Sequence, residues 1–495
     1  MARDAPTGGA SRVSGRTFYV DPVEGTDGND GMSPNHPVPT HEDQNISPGD
    51  SVLFKRGRIV RGKLRTRNGS PASPVTYGAY GEGPRPVFLG SVSVDDPDDW
   101  VEERNSRWRY TGDLPSEACN LIFEDGEACG VLRWHVDDLR DAGDWHYSKI
   151  GSASAEDDAD GGGGELYLHS PDQPAAVYSD IECALWEERE LVDGQRHVRI
   201  QDLSFRNGGV HGYQEHNAHD VTIRRCEFRC IGGAVFRLDH RVRFGNGVEL
   251  WNGAKDVTVE GSLFENIYDA GVTHQGGGTH NVPERITFRH NLFIDCGLAA
   301  YECREPSKEV YFEQNTCIRS GGGFHMQGEE PPRRSAISVR VEDDELVEMV
   351  EWPARDELEH DDLEPIDVGH HVLVWRIDRG TQPGDVHLRK NIFVETPHGA
   401  AIYAIVHPAD LAKFQLDENA YWQTTGHLLA YMSGRGYAVD AFEQYRGEWE
   451  QDHNSRIVRP EFVDEDTGDY RQPETSPTRT LGAANEAVGR FTRSE

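Results

Sequence analysis

One eight-residue pattern recurs seven times along the chain, starting at Val198, Val221, Val257, Ile286, Val310, Val386 and Phe414. The starts lie 23, 36, 29, 24, 76 and 28 residues apart. The first and third positions are apolar and the second is usually polar, which is the alternation of a strand with one face inside. The sixth position is Asn in four copies, Asn291, Asn315, Asn391 and Asn419. An Asn there can take a tight-bend conformation and hydrogen-bond its stacked neighbours, forming a ladder. The eighth position is Phe in five copies, which predicts an internal aromatic stack. A β-sandwich would show hairpin turns and no constant bend residue. The chain therefore reads as all-β, a right-handed parallel β-helix whose repeat is one rung of a solenoid.

Two gaps exceed a normal rung. The 36-residue gap holds a basic loop, Arg237 to Arg243, and the 76-residue gap holds an acid-dense insertion at about 328–384. Long insertions in solenoids map to loops on one face, often the binding face.

Charge bounds the partners. The formal net charge is −36, and seven lysines stand against 43 arginines. A surface this acidic repels itself in dilute buffer, and molar salt shortens the screening length to about 3 Å. Acid-rich, lysine-poor composition resembles that of proteins from salt-in halophiles such as haloarchaea and their viruses. It also argues against nucleic acid as a partner. No apolar run approaches the roughly 20 residues of a membrane span. Eight cysteines without a CxxC pair make neither a disulfide scaffold nor a zinc knuckle. The first fifteen residues show no hydrophobic signal core, so the expectation is an extracellular protein whose signal is missing here, or a virion component.

The segments FYVDPVEGTDGNDGMSP (18–34), PGDSVLFKRG (48–57) and PVTYGAYGEGPRP (74–86) resemble the opening of secreted parallel β-helix carbohydrate-active enzymes. That group includes polysaccharide lyases and glycosidases, and viral tail spikes share its fold. The stretch 141–174 resembles the β-rich subdomain many of them insert, and 447–477 resembles their closing segment. The resemblance implies a polar arm (1–16), a cap with the first rungs (17–91), an inserted subdomain (92–196) and main coils (197–327). An insertion over the groove (328–384), last coils (385–440) and a closing segment (441–495) complete it. It also implies a polysaccharide partner. The tail-spike alternative implies glycan binding without cleavage, virion partners and a homotrimer.

In this fold, sugar chains usually lie on the outer face of the sheet that follows each repeat. Candidate strands are 210–216, 247–253, 271–277, 298–304, 323–329 and 401–407. With Val248, Val272, Leu298, Phe324 and Ile402 inward, alternation sends His211, Tyr213, Glu249, Trp251, Gln275, Tyr301, His325, Gln327 and Tyr403 outward. The following turns add Glu215, Glu302, Arg304, Glu329 and His407. Aromatic rings stack on sugars, and the polar groups hydrogen-bond hydroxyls.

Two chemistries remain open. A glycosidase needs two carboxylates, and Glu249 and Glu302 fall two rungs apart, about 9–10 Å at the strand spacing of about 4.8 Å. That suits inversion, for which the carboxylates are about 6.5–9.5 Å apart. Glu329 is a third candidate. A lyase needs a base, here Tyr301 or His325, and a neutraliser of the uronate charge, here Arg304 or Ca²⁺. Hydrolysis requires no cofactor. The run from His211 to His219 holds three histidines, but on a strand and turn they point apart, so no metal site is expected. The acidic stretch Asp21 to Gly31 misses the EF-hand spacing and reads as a turn-forming cap.

Overall fold

The computed structural model describes residues 15–152, 162–186, 190–238, 241–275, 281–304, 307–321, 334–342, 345–351, 364–367, 369–374, 386–396, 400–406 and 414–491. Among them the chain winds into a parallel β-helix bounded by three ten-stranded sheets. Each rung contributes one strand to each face. In the rung that starts near Val257, these are Lys255–Glu260 on the first face, Leu263–Ile267 on the second and Ala270–Gln275 on the third. Only the last pair of the third face, Leu428–Met432 with Arg435–Ala438, is antiparallel.

The eight-residue repeat is the first-face strand, a corner and the start of the second-face strand. Its apolar first and third residues, such as Val257 and Val259, are wholly buried. The fifth residue makes the corner in every copy: Asp202, Arg225, Gly261, His290, Gln314, Lys390 and Glu418 all have φ between 52° and 59°. The left-handed conformation was expected at the sixth position and falls one residue earlier. The Asn side chains at position six hold the corner together from inside. Each backbone N–H donates to the next Asn Oδ1, at 3.0 Å from Asn291 to Asn315, 2.9 Å from Asn315 to Asn391 and 3.0 Å from Asn391 to Asn419. Ser262, whose N–H donates to Asn291, and Ser455, whose hydroxyl accepts from Asn419, end the ladder.

Beside it runs the aromatic stack. Phe88, Phe205, Phe228, Phe264 and Phe293 follow one another with ring centroids 4.9–5.5 Å apart. Where Cys317 replaces Phe, Phe312 bridges from Phe293 to Phe393 at 5.6 and 6.4 Å. Such pairs add about 0.5–1.5 kcal/mol each beyond the area they bury.

A largely antiparallel subdomain interrupts the coil between Ser91–Ser93 and Ile181–Leu185, with its own core around Trp100, Trp145, Tyr147 and Leu168. The chain rejoins the third face at Glu190–Asp193, which pairs with Leu64–Arg65 and His211–His216. The second insertion contains a three-stranded antiparallel sheet, Arg334–Glu342, Glu345–Glu351 and Glu364–Asp367. It ends sooner than the expected residue 384, because His370–Val374 is itself a third-face strand between Ala299–Cys303 and Tyr403–Ile405. That rung position was assigned to 323–329, all of which lies outside the described residues. Among the described residues no helix is long and apolar enough to cross a membrane.

Candidate functional site

The third face carries two outward columns. The pairing Gln214, Glu249, Thr273, Glu302, Leu373 and Ala404 forms one, and Trp251 with Gln275 belongs to the other. Between them an inward column runs through Leu250, His274, Cys303, Val374 and Ile405.

Glu249 and Glu302 therefore share a column, with Thr273 on the rung between. Both are only 3% exposed. Drying a carboxylate costs several kcal/mol unless donors surround it. Glu249 accepts from Gln214 Nε2 at 3.2 Å and from Gln275 Nε2. The His211 Nε2 nitrogen lies 2.6 Å from Glu249 Oε2. Because the Asn246 backbone N–H donates to His211 Nδ1 at 3.1 Å, the imidazole proton belongs on Nε2 and points at Glu249. Three N–H donors on one carboxylate suit its ionised form. Glu302 accepts from the Thr273 hydroxyl at 3.1 Å and lies 3.9 Å from Arg304 Nε. Arg304 also donates to Gln275 Oε1 at 3.1 Å, closing a continuous network from His211 to Glu302. Trp251 is half-buried at the edge of this network.

Three expected groove residues are not there. Tyr213, Tyr301 and Tyr403 point into the solenoid and are at most 1% exposed. The cause is the corner between the second and third faces, where two successive residues turn inward. Ala300 and Tyr301, like Ile402 and Tyr403, both belong to the central core. Strict alternation carried across that corner puts the tyrosine on the wrong side. The Tyr301 hydroxyl meets His274 Nε2 at 2.9 Å inside the coil, where burial holds the phenol far above its ordinary pKa and pushes His274 down to about 4. Tyr301 therefore cannot serve as a base for a substrate outside. His325, Gln327, Glu329 and His407 lie outside the described residues.

Glu215, expected in a turn beside the groove, sits in the inward column at the corner with the first face. It lines a depression of about 430 Å³ with Asn68, Gln195, Arg196 and His197. Burial, with help from Asp193, pushes its carboxyl up to about 8 against the pull of Arg196. His219 lies on the first face, near Asp256 and away from His211. In the cap, Asp21 accepts from the Val23 and Glu24 backbone N–H groups and from Arg58, as a turn former does.

Gln214 and Thr273 were missed. The signal available was their alignment with Glu249 one rung either way, which the misplacement of Tyr213 concealed. Missed too was an aromatic group on the opposite edge from Trp251. Phe244 packs edge-on to His211 at 5.4 Å and also touches Trp186 and Phe236 at 5.7 and 5.3 Å.

No protein-family model matches the sequence, and no curated protein does. Among solved structures, the chain is similar to a glycoside hydrolase at 11% identity, covering 87% of this chain and 98% of that one, with a TM-score of 0.44. It is similar to a lacto-N-biosidase from Eubacterium ramulus at 12% identity, covering 90% and 68%, with a TM-score of 0.39. An alginate lyase from a Paenibacillus species matches at 9% identity over 79% and 86%, with a TM-score of 0.36.

Proposed function

We propose that the protein is a glycoside hydrolase that cuts an extracellular or cell-surface glycan across the third face. The observation that carries this reading is the pair Glu249 and Glu302, both dried to 3% exposure in one outward column two rungs apart. At about 4.8 Å per rung the spacing is about 9–10 Å, which leaves room for a water beside the sugar and favours inversion. Glu249, surrounded by N–H donors, is the base. It takes a proton from water as the water oxygen attacks the anomeric carbon. Glu302 gives its proton to the leaving oxygen as the glycosidic C–O bond breaks. His211, Gln214 and Gln275 hold the base in place, and Arg304 steadies Gln275. The lyase alternative loses Tyr301 as its base, buried in the core, and keeps only His325, which lies outside the described residues.

The test is incubation with haloarchaeal exopolysaccharide, neutral glycans and uronate polymers in 2–3 M salt, following reducing ends and absorbance near 235 nm. New reducing ends without absorbance are expected. Rising absorbance would mean elimination and overturn the assignment, and binding without either signal would make the groove a recognition surface.

The net charge of −36 supports work in concentrated salt. Lowering salt from 1 M to 0.1 M lengthens the screening distance from about 3 to about 10 Å and lets the acidic surface repel itself. The fold should then melt earlier at 50 mM than at 2 M salt by circular dichroism. An unchanged transition would remove the halophilic reading.

A further inference from the structure

Phe236 is 51% exposed, and it is the one exposed Phe, Tyr or Trp ring among the described residues. Every other such ring is at least partly covered, and this one is linked through Phe244 to His211, beside the buried carboxylates. It stands on a hairpin, Ala234–Arg237 with Val242–Phe244, which rises at the corner where the second face turns into the third. Phe236 packs on Phe244 at 5.3 Å, Phe244 on Trp186 at 5.7 Å, and Phe244 on the His211 ring at 5.4 Å. His211 is the residue 2.6 Å from Glu249. The aromatic group is thus one imidazole away from the proposed base, and Trp251 stands on the other side of it along the strand.

The hairpin is pinned. Arg243, 5% exposed, donates to the carbonyls of Gly233 at 2.6 Å and Cys119 at 3.2 Å and lies over the Tyr268 ring at 4.8 Å. Its neighbour Gly245, at φ 141°, donates to Asp269 at 3.0 Å. Cys119 belongs to the inserted subdomain and Tyr268 and Asp269 to the coil, so both bodies hold the platform. A ring presented on so fixed a base loses little freedom when a ligand stacks on it. The guanidinium of Arg243 is spent on carbonyls and is not offered to a carboxylate outside.

We propose that Phe236, Phe244 and Trp186 form a stacking subsite for the C–H face of an uncharged pyranose ring, adjoining the sugar held at Glu249. This assignment rests on the hydrolase reading. Stacked aromatic rings favour the apolar face of a sugar, and a chain of net charge −36 disfavours a uronate.

The test uses the full chain in 2 M salt with neutral oligosaccharides of two to eight residues from cellulose, mannan and galactan, and with oligogalacturonate as the acidic counterpart. KM and kcat are measured for any series that is cut, and Kd by tryptophan fluorescence with Glu249→Gln. Phe236→Ala is expected to raise KM and Kd for the longer neutral oligosaccharides by tenfold or more. It should leave kcat and Tm unchanged, because the ring touches no reacting atom and buries little. Phe236→Trp should restore binding. Equal KM and Kd in Phe236→Ala and the parent chain, with cleavage intact, would overturn the subsite and spare the hydrolase. An effect of the same size on oligogalacturonate would overturn the preference for uncharged sugars. A parent chain that neither binds nor cuts any series would overturn the subsite together with the reading beneath it.

Discussion

On the outward surface of the first face, the column Arg224, Glu260, Arg289, Glu313, Arg389 and Asp417 alternates in sign from rung to rung. Arg289 meets Glu260 at 2.8 Å, with the two side chains 44% and 25% exposed. On the third face the equivalent column, Gln214, Glu249, Thr273 and Glu302, is dried to 7% exposure or less. Both surfaces are built on the same pleat with the same rung spacing. On the first, opposite charges alternate at the surface and pair in water where they meet, as Arg289 and Glu260 do, and such a pair costs little and contributes little. On the third, carboxylates are taken out of water and rebuilt a solvation shell from amides, an imidazole and a hydroxyl. A solenoid needs no such device to stand, and the cost fits the chemistry proposed for the third face.

The sharpest way to break this comparison is to neutralise one carboxylate on each face. Glu302→Gln or Glu249→Gln should lower kcat by about 10²–10⁴-fold, the usual worth of a general acid or base. Glu249→Gln should also lower Tm, because its new amide N–H₂ would face the donors His211, Gln214 and Gln275. Glu260→Gln on the first face should change neither kcat nor Tm. Equal losses from Glu260→Gln and Glu302→Gln would erase the distinction between the faces.

A second test concerns the frame both faces hang on. Asn315 accepts from the Asn291 backbone and side chain and donates to the Phe288 carbonyl at 3.0 Å, all among buried residues. Asn315→Ala would strand these partners at about 1–3 kcal/mol for each unsatisfied group, or about 3 kcal/mol in total after relaxation. Urea denaturation should show that loss, while kcat at low temperature stays unchanged. A large fall in kcat with no loss of stability would mean that the corner, and not the third face, governs activity.

The frame was far more legible in the sequence than the site. Apolar positions one and three, the Asn column and the Phe column each repeat at a constant offset, so a single chain displays the apolar pair seven times, the Asn four times and the Phe five times. Position five was not legible, since Asp, Arg, Gly, His, Gln, Lys and Glu all occupy it; the geometry of the corner imposes its φ, whatever the side chain. The site suffered from a related blindness. Two successive inward residues at the next corner, Ala300 then Tyr301, break the period of two, and nothing local in the sequence marks the break. His370–Val374 was hidden because its rung is split by a long insertion that upsets the count. The hairpin wall was hidden by composition: arginines made the loop look basic, yet Arg243 is buried, and Phe236 and Leu238 stand exposed beside Arg241.

A third test compares two groups shifted by burial in one inward column of the third face, Glu215 and His274, which flank Leu250. Glu215, beneath its junction with the first face, is pushed up to about 8 by burial. A carboxyl ordinarily titrates near 4.5, so between those values the folded chain holds a proton that the unfolded chain has lost. Stability therefore falls as pH rises from about 4.5 to about 8. Glu215→Gln should melt higher than the parent at pH 8.5, and the gap should close towards pH 4.5. His274 works in the opposite direction. Its folded value near 4 lies below the ordinary 6.5, so stability is lost as pH falls through that interval. A Glu215→Gln gain that persisted undiminished at pH 4.5 would show that packing, and not ionisation, is at stake.

The smallest expected effect bears most directly on why the first face is read as inert. Arg289→Ala removes an ion pair whose arginine is almost half exposed. Such pairs are worth about 0–1 kcal/mol, and less as salt rises. The neighbouring column position holds Thr222, Thr258 and Thr287, which pair along the sheet and keep its outer surface covered without help from Arg289. Arg289→Ala should therefore shift stability by at most about 0.5 kcal/mol at 0.1 M salt, and the shift should vanish at 2 M. Its kcat should match that of the parent. The depression of about 410 Å³ that Arg289 helps to line, with Arg199, Arg224 and Glu260, supplies the counter-case. If the variant lost affinity for a glycan while keeping its stability, the first face would also be a recognition surface, and lateral charge pairing could no longer be taken as the mark of an idle one.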